Sequence, residues 1–188
     1  MASTQKQKLF MMKKIIILGT TGSGKSTLAK KLSLQLGIPN IQLDLLFWKE
    51  NWTYCDDPEF FSKIENATQG DTWIVDGNYS RTRHLTWPKA DTIIWIDLPF
   101  WKTIYQNVSR SVKRAISQEE LWPNTGNKES FSRMFSKESI ILWLLKTYKK
   151  NRKRYLKAME LEEFSHINFI RLRSRKEIDS FLKGLSDE

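Results

Sequence analysis

The sequence predicts a three-layer α/β/α domain built on a five-stranded parallel sheet. Three observations predict it. Short apolar runs alternate with helix-spaced stretches along the chain, the first apolar run leads through glycines straight into a helix, and no internal repeat or low-complexity linker interrupts the 188 residues. Parallel strands need crossover connections, and crossover helices cover both faces of the sheet. The length suits one domain with one sizeable core. The whole chain, 1–188, is therefore expected to be a single domain, with residues 1–12 as a disordered tail.

The elements follow in order. Residues 15–18 (Ile-Ile-Ile-Leu) are a continuous apolar run, as a strand buried on both faces requires. A helical pattern over 26–36 is closed by Gly37 and Pro39. Residues 41–43 predict a second short strand, with Asp44 at its end. Asp57 before Pro58 predicts a helix start, Asp as cap and Pro in the first turn, burying Phe60, Phe61 and Ile64. Residues 73–75 and 92–96 predict the third and fourth strands, and Pro99 opens a helix to about Ile116. Residues 119–130 carry Pro123, Asn124, Gly126 and Asn127 and predict a loop. A long helix over 136–161 and a fifth strand over 167–172 follow. Ser174 and Glu177 then form a capping box ahead of Ile178, Phe181, Leu182 and Leu185, which recur at helical spacing.

Composition narrows the function. Hydrophobic residues are 40% and charged residues 28%, an ordinary globular balance. The net charge of +10 attracts polyanions: nucleic acid, anionic membrane or phosphorylated small molecules. One cysteine, Cys55, allows no internal disulfide and fits a reducing compartment. No apolar run is long enough to span a bilayer, and the polar, then mixed, N-terminus does not have the pattern of a signal peptide. The expectation is a cytoplasmic protein with no membrane partner.

Residues 19–26, Gly-Thr-Thr-Gly-Ser-Gly-Lys-Ser, satisfy G-x-x-x-x-G-K-[ST] between a buried strand and a helix. Glycines let the backbone curl so that its N–H groups face phosphate oxygens, and the following helix adds its positive end. Lys25 is expected at the β- and γ-phosphates and Ser26 on Mg²⁺. The nucleotide contacts expected are Gly19, Thr21, Gly22, Ser23, Gly24, Lys25, Ser26 and Thr27, with Arg110 and Arg175. ATP and Mg²⁺ are the cofactors this motif implies. A ligand-free glycine turn is the competing reading, and the strand–loop–helix context argues against it.

Ligands in this fold class sit at the carboxyl ends of the strands. Asp44 and Asp76 both fall at such ends. Asp44 is placed to orient or deprotonate a hydroxyl acceptor, and Asp76 to support the magnesium shell. Asp97 competes with Asp76, but a cap on the Pro99 helix is the favoured reading for it. Arg110 and Arg114 lie four apart on one helix face, the arrangement phosphoryl transfer needs beside a lid-like loop. That loop, at 117–130, has no Cys or His cluster and so carries no zinc. Arg133, Arg152 and Arg154 are further phosphate donors in reserve. Trp48, Trp52 and Trp87 fall near the expected acceptor site, whereas Trp73 and Trp95 belong to strands and to the core.

Four segments together resemble the adenylate-kinase-like P-loop kinases, and within them the small bacterial group known as DNA topology modulation proteins. They are the phosphate loop, residues 43–48 with Asn51 and Trp52, residues 76–82 (Asp-Gly-Asn-Tyr-Ser-Arg-Thr), and the strand end at 94–99. The resemblance runs from Lys14 to about Leu185. It implies that Asp76 supports magnesium, that Arg81, with Gly77, grips an acceptor phosphate, that Arg110 contacts the nucleotide and that Arg114 contacts the transferring phosphate. Here the third segment is one residue longer than in adenylate kinases and lacks their Pro. The acceptor-binding set is Asp44, Trp48, Gly77 and Arg81, and the catalytic set Lys25, Asp44, Arg110 and Arg114. The function expected is transfer of the γ-phosphate of ATP to a small acceptor, with a nucleotide or other phosphorylated or acidic metabolite favoured. The alternative is an ATP-dependent nucleic-acid-associated protein affecting DNA topology. No helix-turn-helix, zinc-finger or RNA-binding signature supports it.

Overall fold

The strand β1 (Lys14–Gly19) lies at the centre of a five-stranded sheet of order β2-β3-β1-β4-β5, with β2 at Asn40–Gln42, β3 at Trp73–Asp76, β4 at Thr92–Ile96 and β5 at Asn168–Leu172. Every pairing is parallel. The computed structural model describes residues 12–134, 136 and 139–186. Of the expected tail only Met12 is described, and it is buried.

The helices are α1 (Lys25–Leu36), α2 (Leu43–Phe47), α3 (Asp57–Ala67), α4 (Arg83–Thr86), α5 (Phe100–Ser117), α6 (Phe131–Met134), α7 (Ile140–Ala158) and α8 (Arg175–Ser186). Alternation along β1 sorts them into two layers. Ile16 and Leu18 join Val75, Ile93 and Trp95 on one face, packed against Phe47, Phe60, Ile64, Trp87 and Tyr155. Ile15 and Ile17 join Ile74, Ile94 and Ile96 on the other, packed against Leu28, Leu32, Ile178 and Leu182. The period of two along a strand thus makes both cores from one apolar run. The three-layer parallel fold expected from the sequence is the fold observed, and Trp73 and Trp95 are core residues.

Four expectations change in detail. The cap of α3 is Asp56, whose carboxylate accepts from the Glu59 N–H at 2.9 Å; Asp57 is already helical. Asp44 does not end a strand: β2 stops at Gln42, and Asp44 sits in the first turn of α2. The long helix begins at Ile140, not 136, because the Ser139 hydroxyl caps it by accepting from Ile141 N–H at 3.2 Å. Asp97 does not cap α5, which Pro99 leads in without a side-chain bond. Its carboxylate instead accepts from Arg152 Nε at 3.1 Å and from both Nε and a terminal nitrogen of Arg171. Two guanidinium groups compensate a carboxylate that burial would otherwise penalise. The capping box at α8 is present, with Glu177 N–H donating to Ser174 Oγ at 3.1 Å and Glu177 accepting from Arg173 N–H at 2.8 Å.

Candidate active site

The phosphate loop leaves β1 at Gly19 and enters α1 at Lys25. Its curl is closed by Ser23 N–H donating to Thr20 C=O at 3.0 Å, and Lys25 Nζ donates to the same carbonyl at 3.2 Å. Gly22 has φ +80°, and a Cβ there would meet the Asn107 backbone at about 3.0 Å. Only glycine lets α5 approach this closely. The gap is closed by Asn107 Nδ2 and an Arg110 terminal nitrogen, which donate to Thr21 Oγ1 at 3.1 and 2.9 Å. Arg175, in the first turn of α8, brings a terminal nitrogen to 3.7 Å from where a Gly24 Cβ would stand. Thr27 is exposed in the first turn of α1.

Three charged groups close the loop's mouth. Burial pushes the Lys25 ammonium pKa down, opposed by the charges of Asp76 and Asp44 and reinforced by that of Arg110. Burial likewise lowers the Arg110 guanidinium to about 10, with the Arg114 charge adding to the effect. It remains a cation at neutral pH. Burial raises the Asp76 pKa, although Lys25 and the Ser26 hydroxyl, within hydrogen-bonding reach, oppose the rise. Buried Arg110 Nε, Ser23 Oγ and Asn107 Oδ1 have no hydrogen-bond partner among the described residues. Unmade bonds of this kind are costly in a finished core and ordinary in a site built for a ligand. A curled backbone, a desolvated lysine and an orphaned arginine nitrogen fit a polyphosphate. The Ser26–Asp76 pair fits a magnesium ion that keeps most of its shell from water and phosphate.

Asp44 faces this centre from α2, near enough for its charge to act on Lys25, Asp76 and Arg110. It is exposed, and it accepts from the Tyr79 hydroxyl at 2.6 Å. Burial, and then the Asp44 charge, raise the Tyr79 pKa, so Tyr79 stays a donor. The Trp48 indole lies within hydrogen-bonding reach of the same hydroxyl. Gly77 backs this corner with φ +149°, and a Cβ there would meet Leu43 Cβ at 2.9 Å. A cavity of about 190 Å³ adjoins this corner, lined in part by Leu43, Gly77, Asn78, Tyr79 and Arg154.

Other expected residues are engaged by partners of their own. Arg81 is ion-paired with Asp57 at 3.1 Å and lies over the rings of Phe47, Phe60 and Tyr79, 4.8, 5.5 and 5.8 Å from their centroids, so it borders the Asp44–Tyr79 corner. Trp87 is buried in the core against Phe164. Arg152 is committed to Asp97, on the wall of a larger cavity of about 380 Å³ at the β5 edge of the sheet. The Arg133 side chain lies outside the described residues. Sequence reading gave no role to Tyr79, Asn107, Trp122 or Asn127. One signal was legible for Asn107: Thr103, Asn107, Ser111 and Ala115 recur every four residues, a small and polar buried stripe that marks close approach of α5. The partners of Tyr79 and Asn127 are distant in sequence and leave no such trace.

No protein-family model and no curated protein sequence matches the chain. Among solved structures it is similar to a gluconokinase from Sinorhizobium meliloti, with a TM-score of 0.51 and 15% identity over 93% of this chain and 92% of that one. That likeness shows a P-loop α/β fold over 93% of the chain.

Proposed function

We propose that this chain is an ATP-dependent small-molecule kinase whose acceptor presents a hydroxyl, and that Asp44 takes the hydroxyl proton. One observation carries the reading. The Asp44 carboxylate, oriented by Tyr79, faces the Lys25–Arg110 centre, while Arg81, although beside the Tyr79 ring, is engaged by Asp57 and three aromatic rings. A phosphate acceptor is already an ionised nucleophile and needs a cation to hold it, whereas a hydroxyl must lose a proton during transfer. The arrangement supports a proton acceptor at Asp44 and an Arg81 guanidinium engaged by protein groups. The balance therefore moves from the phosphorylated acceptor favoured by sequence toward a hydroxyl; an acidic group elsewhere on the acceptor remains compatible.

The other roles follow from position. The phosphate loop and Lys25 hold the β- and γ-phosphates, and Arg110 and Arg114 stabilise charge on the transferring group. Ser26 and Asp76 would hold magnesium, which would neutralise phosphate charge. Arg175 flanks the loop where the rest of the nucleotide would extend. The neighbouring structure is by name a gluconokinase; at 15% identity it supports the fold, and the acceptor class here rests on Asp44 and Tyr79. The test is a panel of sugars, sugar acids, nucleosides and nucleoside monophosphates, scored for ADP release with ATP and Mg²⁺. Turnover on hydroxyl compounds that Asp44→Asn abolishes supports the proposal. Turnover confined to monophosphates overturns it.

A further inference from the structure

The loop at 117–130 does not stand free. It forms a small hairpin, with Glu120 bridged to Lys128, and folds onto the segment that follows Asp44. Asn127 is 1% exposed, and both ends of its amide are used across this contact. Its Oδ1 accepts from Trp52 N–H at 2.7 Å and its Nδ2 donates to Lys49 C=O at 2.8 Å. Beside it the Trp122 ring stacks on Trp48, with centroids 5.2 Å apart and planes 13° from parallel, and Trp52 packs edge-on against both. The turn so held is strained. Asn51 and Trp52 have φ of 54° and 59°, consecutive left-handed residues without glycine. Such residues persist only where their surroundings enforce them. Asn127 supplies that enforcement by bonding the Trp52 amide and the carbonyl at the head of the turn.

Both ends of this contact reach the reaction centre. Arg110, bonded to Thr21, and Arg114 ride on α5, which is capped by Gln118 with φ 52° at the foot of the loop. Gln118 Nε2 donates to Ala115 C=O at 2.7 Å and to Glu129 C=O at 3.1 Å, tying both feet of the loop to α5. At the far end, Trp48 touches Tyr79, and Tyr79 donates to Asp44. A continuous set of packed and hydrogen-bonded groups thus runs from the phosphate side to the acceptor side.

Resting on the kinase reading, we infer that residues 117–130 and 46–54 form one clamp, in which Asn127 and Trp122 are positioning residues for the acceptor site. Ordering of the loop by nucleotide then also orders the wall that carries Trp48, Tyr79 and Asp44. The loop and the acceptor wall then gain order together.

Hydrogen exchange on the full-length protein, with and without the non-hydrolysable analogue AMP-PNP and Mg²⁺, tests this. In the wild type the analogue should slow exchange at 119–130 and at 46–54 together. In Asn127→Ala the protection at 46–54 should fall about tenfold or more while that at 19–28 persists. Trp122→Ala, a partly exposed site that leaves Asn127 in place, should reduce the same transfer, and Trp122→Phe should restore it. A merely structural Asn127 would speed exchange in the absence of nucleotide but leave the joint protection intact. Protection of 119–130 without 46–54 in the wild type, or joint protection surviving in both Asn127→Ala and Trp122→Ala, overturns the clamp. If the analogue protects nothing at 19–28, the nucleotide reading itself fails. The clamp is then judged by nucleotide-free exchange, and unchanged rates at 46–54 in Asn127→Ala overturn it.

Discussion

At the scale of single residues, the site sorts by what each charge has left to bond. Lys25 donates to one backbone carbonyl and sits among desolvated groups, so its charge is available to phosphate. Lys25→Ala should weaken ATP binding by about 10-fold to 10²-fold, the scale of a charge-assisted contact, with an unchanged circular dichroism spectrum. Calorimetry of ATP binding checks it. Arg81 is in the opposite position, with Asp57 and three rings as partners. Arg81→Ala should leave the acceptor KM unchanged and lower stability by about 1 kcal/mol, since the pair is half-exposed and screened. Asp44→Asn should instead cost about 10²-fold or more in kcat. Steady-state kinetics of the two variants on one acceptor decides between the acceptor chemistries. A strongly raised KM in Arg81→Ala with a mild effect of Asp44→Asn would restore the phosphate acceptor.

At the scale of elements, helix and strand ends position the chemistry, and their boundaries can be probed separately. The α3 cap is Asp56, so Asp56→Ala should destabilise the protein by about 1 kcal/mol, read as a lower urea midpoint with unchanged m-value. Asp57→Ala should act through Arg81 and not through the cap. The end of β3 carries a pH signature. Burial raises the Asp76 pKa above that of a free carboxylate, and magnesium needs the ionised form. The sign follows: the metal-binding form is fully present above the raised pKa and is lost as pH falls through it, at less acid pH than for an exposed Asp. Calorimetric titration of the Mg²⁺ dependence of ATP affinity, from about pH 8 to about pH 4, should show this loss, and Asp76→Asn should abolish the dependence at all pH values.

At the scale of the whole molecule, the charge of +10 admits both phosphate-rich ligands and nucleic acid. Several cations are engaged internally: Arg152 and Arg171 with Asp97, Arg83 with Glu163, and Arg110 with Thr21. Lys146, Lys149, Lys150, Lys153 and Lys157 are exposed along or beside one side of α7. Such a face predicts at most sequence-independent DNA binding that weakens steeply with salt and ignores ATP. Fluorescence anisotropy on duplex DNA across a salt series, with and without ATP, tests this. ATP-dependent affinity that survives physiological salt would favour the nucleic-acid reading. Among the described residues no helix is long and apolar enough to cross a membrane.

By itself the sequence determined the five strands and the longer helices in their order, the covering of both sheet faces and the glycine loop between β1 and α1. Each of these depends on local pattern: a continuous apolar run in β1, helical spacing in α1 and α8, and glycines where the backbone must curl. The parallel sheet follows because alternating elements leave few other ways to cover both faces. Only the tertiary structure decided what the charged residues of the site have to bond. Arg81 and Asp44 looked alike along the chain, both in functional-looking segments at strand ends. One is consumed by Asp57, from a different helix, and the other is oriented by Tyr79, 35 positions away. Asp97 looked like a cap and is the partner of two arginines 55 and 74 positions distant. The contact of Asn127 with Lys49 and Trp52 was equally invisible, spanning 78 and 75 positions. Backbone preferences are set by neighbours in sequence and can be read there. The free energy of a charge or a buried amide is set by neighbours in space, and these exist only once the chain has folded.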